Sequence, residues 1–381
     1  MIKKPLASLL IKPASPDCNL SCDYCFYLEK AELFDSKNTH RMTGTVLKEL
    51  VRQAMQQAGR EINFIWQGGE PTLMGPNFFK KAVELQQRFG RDQTVGNGLQ
   101  TNGLLIDDTW AQFLRSYQWL VGLSLDGPQH VHDHYRKNRR GKGSWERVVD
   151  SAKRLLDAEV AVNALVVVTD YSVRFAREIY EYHKNLGLNH MQFIPCVEAD
   201  RDDPSSVSPF SVSSEPYGHF LCQLFDLWMD DFTGLTPTTS IRFFDSLLYR
   251  YLGLPAPECT LLPECGNYVV VEHNGEVFSC DFFVQDEWRL GNVMELKLSD
   301  MLNAEKQWQF GRRKAHLPEA CGHCRWLGYC TGGCPKDRLP GQGEDKPNHL
   351  CSAYKTFFEY SDERFRGLAE EWKRHNRLMK F

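Results

Sequence analysis

The stretch ASLLIKPASPDCNLSCDYC, residues 7–25, decides how this chain is read. A short apolar run ends at Lys12-Pro13. The loop that follows carries Cys18, Cys22 and Cys25 in the spacing C-x3-C-x2-C, with Tyr24 before the last. Three thiolates on one loop are one short of the four that ordinarily hold a four-iron cluster. A cluster held by three keeps one iron open to a ligand that is not protein, and an open position is what separates a catalytic metal site from a structural one. The apolar run is expected as a first strand, with the cysteine loop at its carboxyl end.

The same arrangement repeats along the chain. Apolar runs at 7–11, 62–66, 95–100, 119–125, 160–168 and 190–195 alternate with helical patterns. In 46–58, Val46, Leu47, Leu50, Val51, Ala54, Met55 and Ala58 fall on one face, with Thr43 placed as N-cap. The segments 78–89, 108–117, 145–158 and 173–186 read similarly. Nearly continuous apolar strands joined by helices predict a parallel α/β sheet with right-handed crossovers. Six units rather than eight predict a partial (β/α)6 barrel. The polar motifs follow the strands: Gly68-Gly69-Glu70-Pro71 after the second, Gln100-Thr101-Asn102-Gly103 at the third, Ser124-Leu125-Asp126-Gly127 at the fourth and Pro195-Cys196 at the sixth. Carboxyl ends of parallel strands are where α/β sites form.

Residues 197–216 are acidic, Ser/Pro-rich and aperiodic, and predict a surface loop leading into a helix over 217–231. The β/α rhythm stops there, so a boundary is expected near 235, dividing 1–235 from 236–381. Beyond it, 240–252 reads as helix, and YVVVEHNGEVFSC (268–280) as a hairpin turning at Asn274-Gly275. A last helix is expected over 353–375.

Composition excludes several classes. A net charge of −4 leaves no electrostatic footprint for nucleic acid or an anionic membrane. No apolar run reaches the roughly 18 residues of a membrane span. The start, MIKKPLASLLIKP, lacks a small-residue cleavage site before Cys18, so the protein is expected in the cytoplasm. In a reducing compartment, thirteen cysteines point to metal or redox chemistry rather than disulfides. Eleven fall in two groups; Cys196 and Cys222 stand apart, the latter read as a buried small hydrophobe. The second group comprises Cys259, Cys265, Cys280, Cys321, Cys324, Cys330, Cys334 and Cys351, the right number for two fully ligated four-iron clusters. Its spacing alone leaves a pair of zinc sites equally open. The upstream three-cysteine loop favours iron–sulfur for both groups, and a region this small would need the metal to fold.

These motifs resemble the radical S-adenosylmethionine (SAM) enzymes with a SPASM domain, and among them the anaerobic sulfatase-maturating enzymes. The resemblance rests on the C-x3-C-x2-C loop, on C-x9-G-x4-C…C-x2-C-x5-C-x3-C…C from Cys265 to Cys351, and on QGGEPTL (67–73), QTNG (100–103), SLDGPQHVHDHYR (124–136) and CDFF (280–283). It implies a partial barrel of the radical SAM type, a C-terminal SPASM domain with two auxiliary clusters, and three [4Fe-4S] clusters in all. It places SAM on the open iron, with Tyr24 flanking the adenine, Gly68 and Gly69 letting the backbone approach the amino group, Glu70 fixing that turn, and Ser124 and Arg136 at the ribose or carboxylate end. Gly68-Gly69 would otherwise be a tight turn with no ligand, and Arg136 a solvated charge. Asp281, adjoining Cys280, is implied as the base that deprotonates the substrate thiol or hydroxyl; alternatively it caps the end of the hairpin. Gln67 and Asn102 are candidates for contacts to the substrate backbone. By the same likeness Cys259, Cys265, Cys280 and Cys334 share one cluster, and Cys321, Cys324, Cys330 and Cys351 the other. His130, His132 and His134, in a loop by this reading, are assigned no metal.

The implied activity is oxidation of a Cys or Ser in an unfolded sulfatase segment of the C/S-x-P-x-R type to Cα-formylglycine, with a flavodoxin- or ferredoxin-like electron donor and no nucleic acid or membrane partner. Two other readings compete. One is a maturase that crosslinks a ribosomally made peptide, against which the start at strand one weighs, since many such enzymes carry an extra leader-binding domain. The other is a non-enzymatic zinc scaffold.

Overall fold

The computed structural model describes residues 3–27, 30, 33, 34, 39–339 and 347–378. In chain order its main elements are β1 (Ser8–Lys12), α1 (Gly44–Gln57), β2 (Glu61–Trp66), α2 (Pro76–Phe89), β3 (Thr94–Thr101), α3 (Asp108–Ser116), β4 (Leu120–Ser124), α4 (Gln129–Tyr135), α5 (Trp145–Asp157), β5 (Ala161–Val168), α6 (Ala176–Leu186), β6 (His190–Pro195), α7 (Ser214–Asp230) and α8 (Arg242–Tyr251). Then come β7 (Val269–Glu272), β8 (Glu276–Phe278), β9 (Arg289–Asn292), α9 (Leu298–Leu302), α10 (Glu305–Arg313) and α11 (Cys351–Leu378). The chain packs as two units, one of residues 1–125, 136–162 and 266–312, the other of 126–135, 163–265 and 313–381.

In the first unit β1 pairs in parallel with β2, β2 with β3, and β3 with β4. Leu9, Ile11, Phe64, Trp66, Leu99, Val121 and Leu123 are all fully buried, and in β1 and β2 burial alternates along the strand, one face packed more tightly than the other. Trp66 packs edge-on against Phe79 of α2 and stacks on Trp119, at 5.4 and 6.4 Å between ring centres. Thr43 caps α1 through its hydroxyl, which accepts from the Val46 amide at 3.3 Å, as its position predicts.

The hairpin expected at 268–280 is present, with Gly275 at φ +86 in the turn. Its first strand, β7, lies parallel to β1 in the register Leu9↔Val269 to Lys12↔Glu272. Residues 266–312 are therefore part of the first unit's sheet. Buried Gln53 of α1 fastens the end of this segment: its amide donates to the Val293 carbonyl at 2.8 Å and accepts from the Leu298 amide at 2.9 Å.

In the second unit β5 and β6 are parallel, and Ser240–Ile241 bridges to β6 before α8 begins. The segment expected as one helix from 173 is a 3-10 turn, Ser172–Arg174, followed by α6. Helices α7, α8 and α11 bury an aromatic core in which Phe225 and Phe244 meet Phe357 at 5.7 and 5.4 Å. Gly218 of α7 permits this packing, since a Cβ there would sit 3.1 Å from the Ala353 backbone. Cys222, expected in the core, is only half-buried, because on α7 its direction falls between the buried Leu221 and the solvent face.

The three histidines expected in a loop lie on the short helix α4. His132 is fully buried and its Nδ1 accepts from the Asp126 amide at 3.3 Å, His134 stacks on Tyr171 at 3.8 Å, and His130 pairs with Glu178 at 2.9 Å. No helix among the described residues is long and apolar enough to cross a membrane.

Truncating Phe357 to Ala removes a fully buried ring at the junction of three helices and is expected to cost about 3–5 kcal/mol, read as a lowered urea midpoint.

Candidate active site

Four carboxyl ends of the first unit's strands meet at one rim. The cysteine loop leaves β1, Gln67 to Glu70 leave β2, Asn102 follows β3 and Ser124 closes β4. The loop and the glycine turn approach so closely that side chains are excluded between them. The Gly69 amide donates to the Ser15 carbonyl at 2.6 Å and the Glu70 amide to the Asp17 carbonyl at 2.8 Å. A Cβ on Gly69 would lie 2.1 Å from the Asp17 carbonyl oxygen, which no backbone tolerates. Gly68 has φ +133, open to glycine, and a Cβ there would meet the Ser15 oxygen at 3.2 Å and the Lys12 Cβ at 3.3 Å.

Glu70 is fully buried and turned inward. Its Oε1 accepts from the Thr72 amide (3.0 Å), the Thr72 hydroxyl (2.6 Å) and the Thr101 hydroxyl (2.7 Å), and its Oε2 from the Asn102 amide (2.8 Å). Burial pushes its carboxyl above the usual range while these donors pull it back. One carboxylate thus ties the end of β2 to the end of β3. Asn102 faces the cysteine loop: its amide donates to Asn19 Oδ1 at 2.7 Å and to Cys18 Sγ at 3.6 Å. Tyr24 is buried with the Arg136 guanidinium 5.3 Å from its ring centre, so Arg136 is an enclosed cation rather than a solvated one.

Gln67 and Asp281, from opposite ends of the sequence, meet: the Gln67 amide donates to Asp281 Oδ2 at 3.0 Å, and both side chains are buried. The Tyr268 hydroxyl donates to Asp281 Oδ1 at 3.2 Å and lies 3.5 Å from Cys280 Sγ. Tyr27, Val270, Phe278 and Val284 form a buried cluster against which Cys25, Phe26 and Tyr268 pack, and Phe26 meets Phe282 at 4.8 Å. The loop of Cys25 and the turn of Cys280-Asp281 are therefore neighbours. Below them Glu272 accepts from Ser15 Oγ at 2.6 Å and from the Tyr27 hydroxyl, and Ser15 Oγ also contacts His273 Nδ1 at 2.7 Å. Lys12, Tyr27, Tyr268 and Glu272 belong to this constellation and are not singled out by motif. The available signal was a charged residue closing each of two otherwise apolar strands, LLIK and VVVE.

The second unit holds seven of the patterned cysteines in two neighbourhoods. Cys321, Cys324, Cys330 and Cys351 line one recess with Trp326, Tyr354 and Phe358. Cys334 lies within the electrostatic reach of Cys259 and Cys265, and fully buried Lys314 donates to the carbonyls of Cys259 (2.9 Å) and Thr260 (2.7 Å). None of the thirteen cysteines is joined in a disulfide. Burial pushes the Cys18 thiol up to about 12 and Cys330 up to about 11. Thiols so buried stay neutral unless a metal supplies the countercharge, so this donor set fits iron bound through thiolates. Among the described residues no three His, Cys, Asp or Glu side chains form a cage for one metal ion. The fit therefore rests on these cysteine neighbourhoods and on the glycine cradle.

Gly69→Ala is expected to drive Asp17 and Cys18 apart from β2 and to abolish iron binding at the first loop while iron at the C-terminal cysteines remains, read by iron assay and electron paramagnetic resonance. His273 is held down to about 4 by burial and by neighbouring His40. The unfolded chain takes up that proton near pH 6.5 and the folded chain only near 4, so the fold loses stability as pH falls through that window. A His273→Asn protein is expected to lose less of its melting temperature than wild type between pH 7 and pH 5.

Residues 13–182 match the Radical SAM superfamily and 263–325 the SPASM iron–sulfur cluster-binding domain. A serine-type anaerobic sulfatase-maturating enzyme of Bacteroides thetaiotaomicron is 38% identical over 94% of this chain and 89% of its own length. A cysteine-type enzyme of Clostridium perfringens is 37% identical over 97% of this chain and all of its own. The solved structure of native anSMEcpe with bound AdoMet and Cp18Cys peptide aligns with a TM-score of 0.89 at 36% identity, covering 96% of this chain and 99% of that one. The α/β fold with a C-terminal SPASM domain and the inferred need for iron–sulfur clusters and SAM agree with these matches, and the chain belongs to the anaerobic sulfatase-maturating enzymes, a branch of the radical SAM oxidoreductases.

Proposed function

We propose that this enzyme oxidises a cysteine or serine in an unfolded sulfatase segment of the C/S-x-P-x-R type to Cα-formylglycine. The observation that carries the reading is the Gln67–Asp281 hydrogen bond of 3.0 Å, which holds a carboxylate next to Cys280 and beside the Cys25 loop. When bound, SAM and the cluster on Cys18, Cys22 and Cys25 supply the radical that removes a hydrogen atom from the substrate Cβ. The proton on the adjoining sulfur or oxygen must then leave. Asp281 is the acceptor for it, its two oxygens held in place by Gln67 and Tyr268. Gln67 positions this base and meets the substrate backbone. Asn102 holds the cysteine loop from the end of β3, two strands away, and completes the peptide-facing rim. Tyr24 with Arg136, Ser124, and the Gly68-Gly69-Glu70 turn form the SAM cradle.

In this reading residues 1–235 carry the SAM half and 236–381 the SPASM half. The eight C-terminal cysteines would hold two auxiliary clusters, making three in all, which would supply an acceptor for the second substrate electron. The enzyme works in the cytoplasm and is reduced by a flavodoxin- or ferredoxin-like protein. A peptide bearing the motif, incubated without oxygen with SAM and reductant, should show the mass change of aldehyde formation. Unmodified peptide beside accumulating 5′-deoxyadenosine would remove the substrate assignment. Asp281→Asn should lower aldehyde yield about 10²–10⁴-fold while 5′-deoxyadenosine still forms. An unchanged yield would exclude Asp281 as the base.

A further inference from the structure

Lys12 is a fully buried cation whose Nζ makes no hydrogen bond among the described residues. It closes β1 opposite Glu272 of β7, yet the Glu272 oxygens are occupied by Ser15 and Tyr27. The ammonium lies instead over the Tyr27 ring at 3.8 Å from its centre, with Phe26 at 5.4 Å. Burial pushes the Lys12 ammonium below its ordinary range, and Asp281, Glu272, Cys280 and Cys25 are the anion-forming groups whose fields pull it back up. A buried charge without a hydrogen-bonded partner is expensive and persists only where surrounding negative charge offsets it. Cys25 packs on the hydrophobic cluster beside this position, and Cys280 Sγ lies 3.5 Å from the hydroxyl of Tyr268, which packs on the same cluster. Because Nζ is enclosed, a substrate peptide cannot touch it. Whatever Lys12 does for the reaction, it does through the groups around it.

We infer that Lys12 is a positioning residue for charge: its ammonium raises the reduction potential of the auxiliary cluster ligated by Cys280, so that this cluster accepts the second electron from the substrate. The inference rests on the proposed oxidation. There the substrate radical loses one electron, which reduces that cluster by one, and one proton, which passes to Asp281. A fixed positive charge close to a cluster stabilises its reduced form, since net charge, hydrogen bonding and solvent exposure set such potentials.

The test is a potentiometric titration of the auxiliary clusters in reconstituted full-length protein carrying Cys18→Ala, Cys22→Ala and Cys25→Ala, so that only auxiliary signals remain. Against this background, Lys12→Met and Lys12→Gln should each make one auxiliary cluster about tenfold harder to reduce, a fall of about 59 mV for a one-electron couple, and Lys12→Arg should hold it near the parent value. The inference is overturned if the neutral variants titrate with the parent, if Lys12→Arg shifts as far as they do, or if both neutral variants lose the cluster outright, as a lysine that only holds the fold would require. No peptide enters the measurement, so a failed substrate assignment and a failed potential shift are told apart.

Discussion

The parallel pairing of β7 with β1 is the constraint from which the rest of the first unit's site follows. Its register sets Glu272 level with Lys12, so the two strands end together and their loops leave side by side. One loop carries Cys18, Cys22 and Cys25, and the hairpin returning from the other strand delivers Cys280 and Asp281. Side-chain contacts make this adjacency: the buried cluster around Tyr27, Val270, Phe278 and Val284, the Phe26–Phe282 ring contact and the Gln67–Asp281 hydrogen bond. Slipping the pairing by one residue would turn Val269 to Val271 inside out and carry the Cys280 turn away from the rim.

Around that pairing the protein buries more charge than a core of this kind ordinarily holds. Lys12, Glu70 and Glu272 are each fully enclosed. Glu70 is satisfied by four donors and Glu272 by two hydroxyls, whereas Lys12 Nζ makes no hydrogen bond among the described residues and lies over aromatic faces. Satisfied buried carboxylates fix geometry, because losing any donor leaves an oxygen desolvated and unpaired. The single cation left over is the feature that a merely structural account does not explain.

The second unit follows a related principle. Lys314 is buried against the Cys259 and Thr260 carbonyls, and Arg338 donates to the carbonyls of His316 (2.8 Å) and Lys314 (2.9 Å). Both cations lie within the electrostatic reach of Cys265 and Cys334. Cations gathered around thiols that burial would otherwise keep neutral are what an anionic metal cluster calls for.

Much of this was legible in the chain itself. Short-range patterns determined the β/α alternation, the Thr43 cap, the Asn274-Gly275 hairpin and the cysteine spacings, because each depends on residues within one turn, strand or loop. Only the tertiary structure decided that residues 266–312 join the first unit, that Gln67 reaches Asp281 across 214 positions, and that Ser15 reaches Glu272 across 257. No local period carries such information: a lysine ending an apolar strand reads as a solvated end until the strand that covers it is known. The motifs marked which atoms bear the chemistry, and long-range pairing set which of them share a charge environment.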